Sequence, residues 1–243
     1  MNTPRACAAL LALLGTAAGH ATAACQATSA AVPPLVVELY TSEGCSSCPP
    51  ADRWLSTLKG RSDVIALSFH VTYWDRLGWP DRFASAEFTQ RQYDQARREG
   101  RAQVYTPQVV VQGRDWRGWP KLPPASAPAA AAAGPAVTLV RDGDAVRAVV
   151  APAPGRHDLL AGYWAVVEDG HLTTVRAGEN AGATLRHDHV VRTLKPLPPW
   201  PAAQGLESTF TIRRGDAALA RSVLLVVTDG RTQQPVQALR LAC

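Results

Sequence analysis

Residues 35–50, LVVELYTSEGCSSCPP, constrain what this chain can fold into more than any other stretch. The apolar, β-branched run from Leu35 through Val36, Val37, Glu38, Leu39 and Tyr40 predicts a strand buried on both faces. A short polar turn follows, carrying Cys45 and Cys48, and then Pro49 and Pro50, which suit a first helical turn where a missing N–H costs little. Ala51, Trp54, Leu55 and Leu58 continue at helical spacing, with Gly60 as the stop. Two thiols therefore fall at a strand-to-helix junction, where helix N–H groups and partial positive charge favour a thiolate.

A second apolar run over residues 64–69 predicts another buried strand, so the opening unit reads strand, helix, strand, parallel and right-handed. Parallel strands end on one edge, which places His70, Tyr73, Trp74 and Asp75 beside the Cys45 loop. Residues 81–99 predict an arginine-rich helix ended by Gly100 and supported by pairs at four-residue spacing. A third strand over 104–113 is entered through Thr106-Pro107, since proline belongs at a strand's first residue.

Proline and alanine dominate residues 121–135, the composition of a linker. Beyond them short runs alternate with turns, and Asp142-Gly143, Asp169-Gly170 and Asp229-Gly230 carry hairpin signals. Eight candidate strands follow one another, at 136–141, 145–151, 159–168, 171–176, 184–194, 208–212, 222–228 and 236–241, predicting a β-sandwich.

Arginine dominates the net charge of +5, but no basic block tracks a phosphate backbone, so nucleic acid is not an expected partner. A charged start, a short apolar middle and small residues near Ala24 describe a signal peptide over 1–24 and a periplasmic or secreted product. No later segment approaches the length of a stable membrane span. The mature chain then keeps Cys25, Cys45, Cys48 and Cys243, where disulfides persist. Cys45 and Cys48 make one natural pair; Cys25 either bridges to Cys243 or stands as a lipidated first residue.

The thiol nearer solvent, Cys45, is the expected nucleophile, and Cys48 the resolving thiol. Half of a zinc site is disfavoured because no second pair stands at matching spacing, and neither metal nor cofactor is expected. His187 and His189 alternate in a strand and read as structural.

Residues 38–52, 68–79, 105–113, 178–182 and 189–192 together resemble a family of secreted bacterial thioredoxin-like proteins filed as a domain of unknown function. The resemblance implies an α/β thioredoxin-like domain, taken over 25–120, and the composition and strand pattern add the linker over 121–135 and an all-β sandwich-like domain over 136–243. It implies Cys45 and Cys48 as the redox pair and Pro107 as a cis-proline beside the substrate strand. Glu38 stands near the buried carboxylate of thioredoxins and is the expected proton acceptor for Cys48. His70, Tyr73, Trp74, Asp75 and Thr106 are expected to line the substrate groove.

The expected function is extracytoplasmic thiol–disulfide exchange with exported protein thiols or disulfides, or small disulfides, served by an unidentified redox partner. Ser46-Ser47 between the cysteines departs from the pairs of known oxidoreductases and leaves the potential open. Two alternatives stand beside it. One is a copper chaperone in which His70 joins the two thiols; the other is a binding module with an inert disulfide.

Overall fold

The computed structural model describes residues 25–124, 134–153, 155–156, 158–213 and 219–243. The expected signal peptide, and residues 125–133 of the expected linker, lie outside them. Fourteen strands and two α-helices are present among the described residues. No described helix is long and apolar enough to cross a membrane.

The opening unit forms as its periodicity predicts. Strand β2 (Leu35–Thr41) and strand β3 (Val64–His70) run parallel, in register from Leu35 opposite Val64 to Thr41 opposite His70, and are buried along their full length. Between them lies α1 (Pro49–Ser56), with Cys48 as N-cap and prolines in its first turn. Helix α2 (Ala86–Arg98) starts later than the charge pattern predicts. Ser85 caps it by accepting from the Phe88 N–H, whereas Asp81 spends its carboxylate on the backbone N–H groups of Glu43 and Phe83. Strand β4 (Gln108–Val111) pairs antiparallel with β2, and β5 (Arg114–Asp115) closes that edge.

The remaining strands overturn the expected fold class. β8 (Leu159–Asp169), β11 (Val190–Pro201), β13 (Ala220–Asp229) and β14 (Pro235–Leu241) extend the first sheet instead of building a separate sandwich. The result is one eight-stranded mixed sheet, in the order β14-β13-β8-β11-β3-β2-β4-β5. An α/β thioredoxin-like domain followed by an all-β sandwich is therefore not the architecture. The physical reason lies in β8, whose central residues are buried on both faces, as an interior sheet strand requires.

A second, four-stranded antiparallel sheet has the order β1-β6-β7-β12, built from β1 (Cys25–Thr28), β6 (Val137–Asp142), β7 (Ala145–Val150) and β12 (Leu206–Thr211). It packs on the β8–β13 part of the large sheet over a core containing Leu139, Trp164, Phe210 and Leu225. A disulfide between Cys25 and Cys243 joins β1 to the chain end just after β14, so Cys25 is a bridging residue.

Two of the three hairpin signals close hairpins, β6 with β7 and β13 with β14. At the third, Gly170 takes a φ of 85° and sends the chain out of the sheet into β9 (His171–Thr174), which pairs with β10 (Thr184–His187) as a separate ribbon. The expected strand over 184–194 breaks after β10, because His189 adopts a left-handed φ of 58°.

Alternation along β2 assigns its side chains to two faces. Val37 and Leu39 pack on α1 with Ala51, Trp54 and Leu55. Val36 and Tyr40 face α2 and share a core with Phe69, Phe88, Tyr163 and Leu224, which spans both halves of the chain. Glu38 lies on this second face. Its carboxylate accepts from Arg91 at 2.6 Å and Tyr163 at 2.9 Å, and the Arg91 guanidinium lies 4.6 Å from the Tyr163 ring centroid. Burial, and then the Glu38 charge, push the Tyr40 and Tyr163 hydroxyls above their ordinary pKa.

Because Glu38 is nearly buried, Arg91→Ala strands its charge and is expected to cost about 3 kcal/mol of stability. Urea unfolding of the purified variant measures this loss.

Candidate functional site

The Cys45 loop sits where the parallel pairing of β2 and β3 predicts, at the shared C-terminal edge of the two strands. Cys45 and Cys48 form a disulfide with a Cα separation of 5.4 Å. Neither has solvent-exposed surface, whereas Ser46 and Ser47 between them are exposed. The expectation that Cys45 stands nearer solvent therefore fails.

Three segments hold the loop. The Thr106-Pro107 bond is cis, as expected, and the Thr106 hydroxyl donates to Cys45 Sγ at 3.3 Å. Trp74, in the 3-10 turn Thr72–Leu77, donates its indole N–H to Thr106 Oγ1 at 2.8 Å. A Cβ on Gly44 would stand 3.1 Å from Trp74 Cβ, so glycine lets the indole close over the loop. From the second half of the chain, Asn180 donates to the Glu43 and Cys45 carbonyls at 2.8 and 2.9 Å, and Glu179 accepts from the Ser46 N–H and hydroxyl. Residues 178–182 thus act as a clamp on the cysteine loop.

Beneath the loop lies a buried cluster of acids and imidazoles. Asp52, one turn beyond Cys48 in α1, accepts from the Thr41 hydroxyl at 3.0 Å. His70 ends β3 and contacts Asp81 Oδ2 through Nδ1 at 2.6 Å. A carboxylate only accepts, so the proton sits on Nδ1. Glu43 accepts from the Trp79 indole N–H at 2.8 Å. His187, the last residue of β10, stands between two acids, with Nε2 3.4 Å from Glu43 Oε1 and Nδ1 3.9 Å from Asp52 Oδ1.

Burial alone disfavours every charge here, yet the mutual contacts outweigh it. Burial raises the Asp81 carboxyl, but its contact with the His70 imidazole, with two backbone N–H groups, brings it down to about 2. Burial lowers His187, and the Asp52 and Glu43 carboxylates more than offset it, lifting the imidazole to about 9. Glu43 ends below its ordinary value because His187 and Trp79 outweigh its burial and the Asp81 charge.

Of the expected site residues, Thr106 and Trp74 meet at the dithiol, and Pro107 follows Thr106 in the chain. Tyr73 is half-buried beside Trp74, their ring centroids 6.3 Å apart, and burial pushes its hydroxyl up to about 12. Asp75 accepts from the Asp81 N–H at 3.2 Å and supports the turn. His70 has no exposed surface, so it cannot line a groove, and it groups with Asp52 and His187 instead of the cysteines. Glu38 cannot serve Cys48, because it projects to the α2 face while α1 covers the other. His189 does not share the direction of His187; its Nδ1 lies 3.6 Å from Asp169, and burial lowers it to about 4.

Fold and site together define a mixed-sheet protein with a buried Cys-Ser-Ser-Cys disulfide at the entrance to a helix. Comparison with known sequences then places it. The chain belongs to the family described as "Protein of unknown function (DUF1223)", whose profile matches residues 36–228. The crystal structure of protein AGR_C_4864 from Agrobacterium tumefaciens is similar at 27% identity and a TM-score of 0.63, covering 86% of this chain and 93% of that one. HBP35 of Porphyromonas gingivalis shares the fold at 12% identity and a TM-score of 0.53, covering 88% and 76% of the two chains. No curated protein matches the chain significantly.

The Thr106 hydroxyl gives a direct test of the loop's electrostatics. Thr106→Val keeps the shape and removes the donor to Cys45, a hydrogen bond that contributes about 1.5 kcal/mol or more when the acceptor is charged. In the reduced protein the Cys45 pKa should rise by about one unit. The pH profile of alkylation by iodoacetamide reads that shift.

Proposed function

We propose that this protein is an extracytoplasmic thiol–disulfide oxidoreductase that exchanges its Cys45–Cys48 pair with exported protein thiols or small disulfides. The observation that carries this reading is the hydrogen-bond line from the Trp74 indole through Thr106 to Cys45 Sγ. It sets a polarised donor on the first cysteine of a dithiol, beside the loop that opens β4. Locally, β2, the cysteine loop and α1 set the dithiol at the start of a helix, where N–H groups favour a thiolate. A second disulfide, Cys25–Cys243, supports a periplasmic or secreted setting, where such bonds persist.

In the oxidising direction a substrate thiolate attacks Cys45 Sγ. A mixed disulfide forms, the Cys45–Cys48 bond breaks, and Cys48 leaves as a thiolate that takes up a proton. A second substrate thiolate attacks the substrate sulfur of that mixed disulfide and releases Cys45. The substrate gains one disulfide and the protein holds two thiols, which an external electron acceptor must reoxidise. The reverse sequence reduces a substrate. Because both sulfurs are buried, exchange begins with displacement of the cover formed by Trp74 and the 178–182 clamp.

That same burial favours a second reading, a binding protein whose disulfide is inert. One pair of measurements separates them. For an oxidoreductase, Cys48→Ala should trap mixed disulfides through Cys45 in the periplasm, and Trp74→Ala should accelerate reduction by dithiothreitol. A bond that resists mild reductant in both wild type and Trp74→Ala, with no trapped partner, establishes the inert reading.

A further inference from the structure

Three carboxylates, Glu43, Asp52 and Asp81, lie buried around His70 and His187. Among the described residues no lysine or arginine pairs with any of them. Three buried negative charges need compensation. Two imidazole protons provide it, and so does one divalent cation.

The geometry favours the cation. One donor atom from each of Asp52, His70 and His187 lies within 4.8 Å of the other two. Asp81 holds the proton of His70 on Nδ1, which leaves Nε2 bare, and this buried nitrogen has no hydrogen-bond partner. Glu43 Oε1 faces His187 Nε2, which turns the opposite ring nitrogen, Nδ1, toward Asp52 Oδ1. Both His187 nitrogens and Glu43 Oε1 lack a hydrogen bond, although His187 and Glu43 have almost no exposed surface. Each imidazole thus has a carboxylate behind one nitrogen and its other nitrogen turned inward, the arrangement in which outer acids orient histidine ligands. Phe83 walls the cluster with its ring centroid 5.2 Å from His70 and 5.6 Å from His187.

We propose that Asp52 Oδ1, His70 Nε2 and His187 Nδ1 form a zinc(II) site, with Asp81 and Glu43 as the carboxylates that orient the two histidines. Two imidazoles and one carboxylate are a nitrogen and oxygen set suited to zinc, with a fourth position left for water. Ligands about 2.0–2.1 Å from the metal stand roughly 3.4 Å apart, so a pair at the 4.8 Å limit closes by about 1.4 Å on binding. The ion joins α1, β3 and β10, and so ties the two halves of the chain together near the dithiol. Neither cysteine is a ligand of this site.

The test uses the full mature chain, stripped with chelator and titrated with zinc chloride. One equivalent should bind, the thermal midpoint should rise, and zinc X-ray absorption should show a first shell of nitrogen and oxygen near 2.0–2.1 Å without sulfur near 2.3 Å. The Cys45→Ser/Cys48→Ser variant should bind equally well, which keeps the outcome separate from that of the dithiol reading. His187→Ala should lose binding at least a hundredfold, and Asp81→Asn should weaken it by about 10–100-fold. His189→Ala, buried outside the cluster, should bind as wild type does. If folded wild type takes up no zinc, or binds it through sulfur, or if folded His187→Ala retains full affinity, the proposal is overturned, and His187 is an imidazolium between two acids.

Discussion

Strand β3 has a parallel neighbour on each side, β2 along its whole length and β11 through Val190 opposite Ser68, and the site rests on that double pairing. The Ser68 N–H donates to the His189 carbonyl at 2.8 Å, anchoring the segment that follows β10 to the edge where β2 and β3 end. Without β11 beside β3, residues 178–182 and His187 would have no reason to lie over α1. The pairing also allows Tyr163 and Leu224 to share a core with Tyr40 and Phe69, so the two halves of the chain bury one another.

From this follows a division of labour between the sheet's two faces. On the α2 face the buried carboxylate has its cation, with Glu38 held by Arg91 and Tyr163. The α1 face ends in a cluster whose acids outnumber its cations until protons or a metal arrive. A disulfide directly above such a cluster sits in a field set by side chains it does not touch. Its chemistry therefore depends on the charge state of residues from both halves.

Much of the opening unit was legible in the sequence, because β2, α1 and β3 each carry a clean period and the order strand, helix, strand fixes a parallel edge. That argument brought Trp74 to the cysteines, and the family resemblance brought Thr106. It failed for Glu38 because β2 is apolar on both faces, so its pattern does not say which one α1 covers. It failed for His70 because a residue at the edge of a site can point beneath it as easily as along it. Asp52, Glu43, Asp81 and His187 carried no mutual spacing signal, since a helix, two separate loops and a distant strand bring them together. In the second half, hairpin signals drew attention to turns, while the continuous apolar run of β8 was the same mark of an interior strand that β2 bears.

The bridge between Cys25 and Cys243 has a consequence of its own. It spans 218 residues and closes the stretch from Cys25 to Cys243 into a covalent loop, for which loop-closure entropy alone gives roughly 5 kcal/mol. A ring tolerates what an open chain does not. A protease that cuts one connecting loop leaves a single linked molecule with new ends, a permuted chain in effect, and the elements around the buried cluster stay tethered.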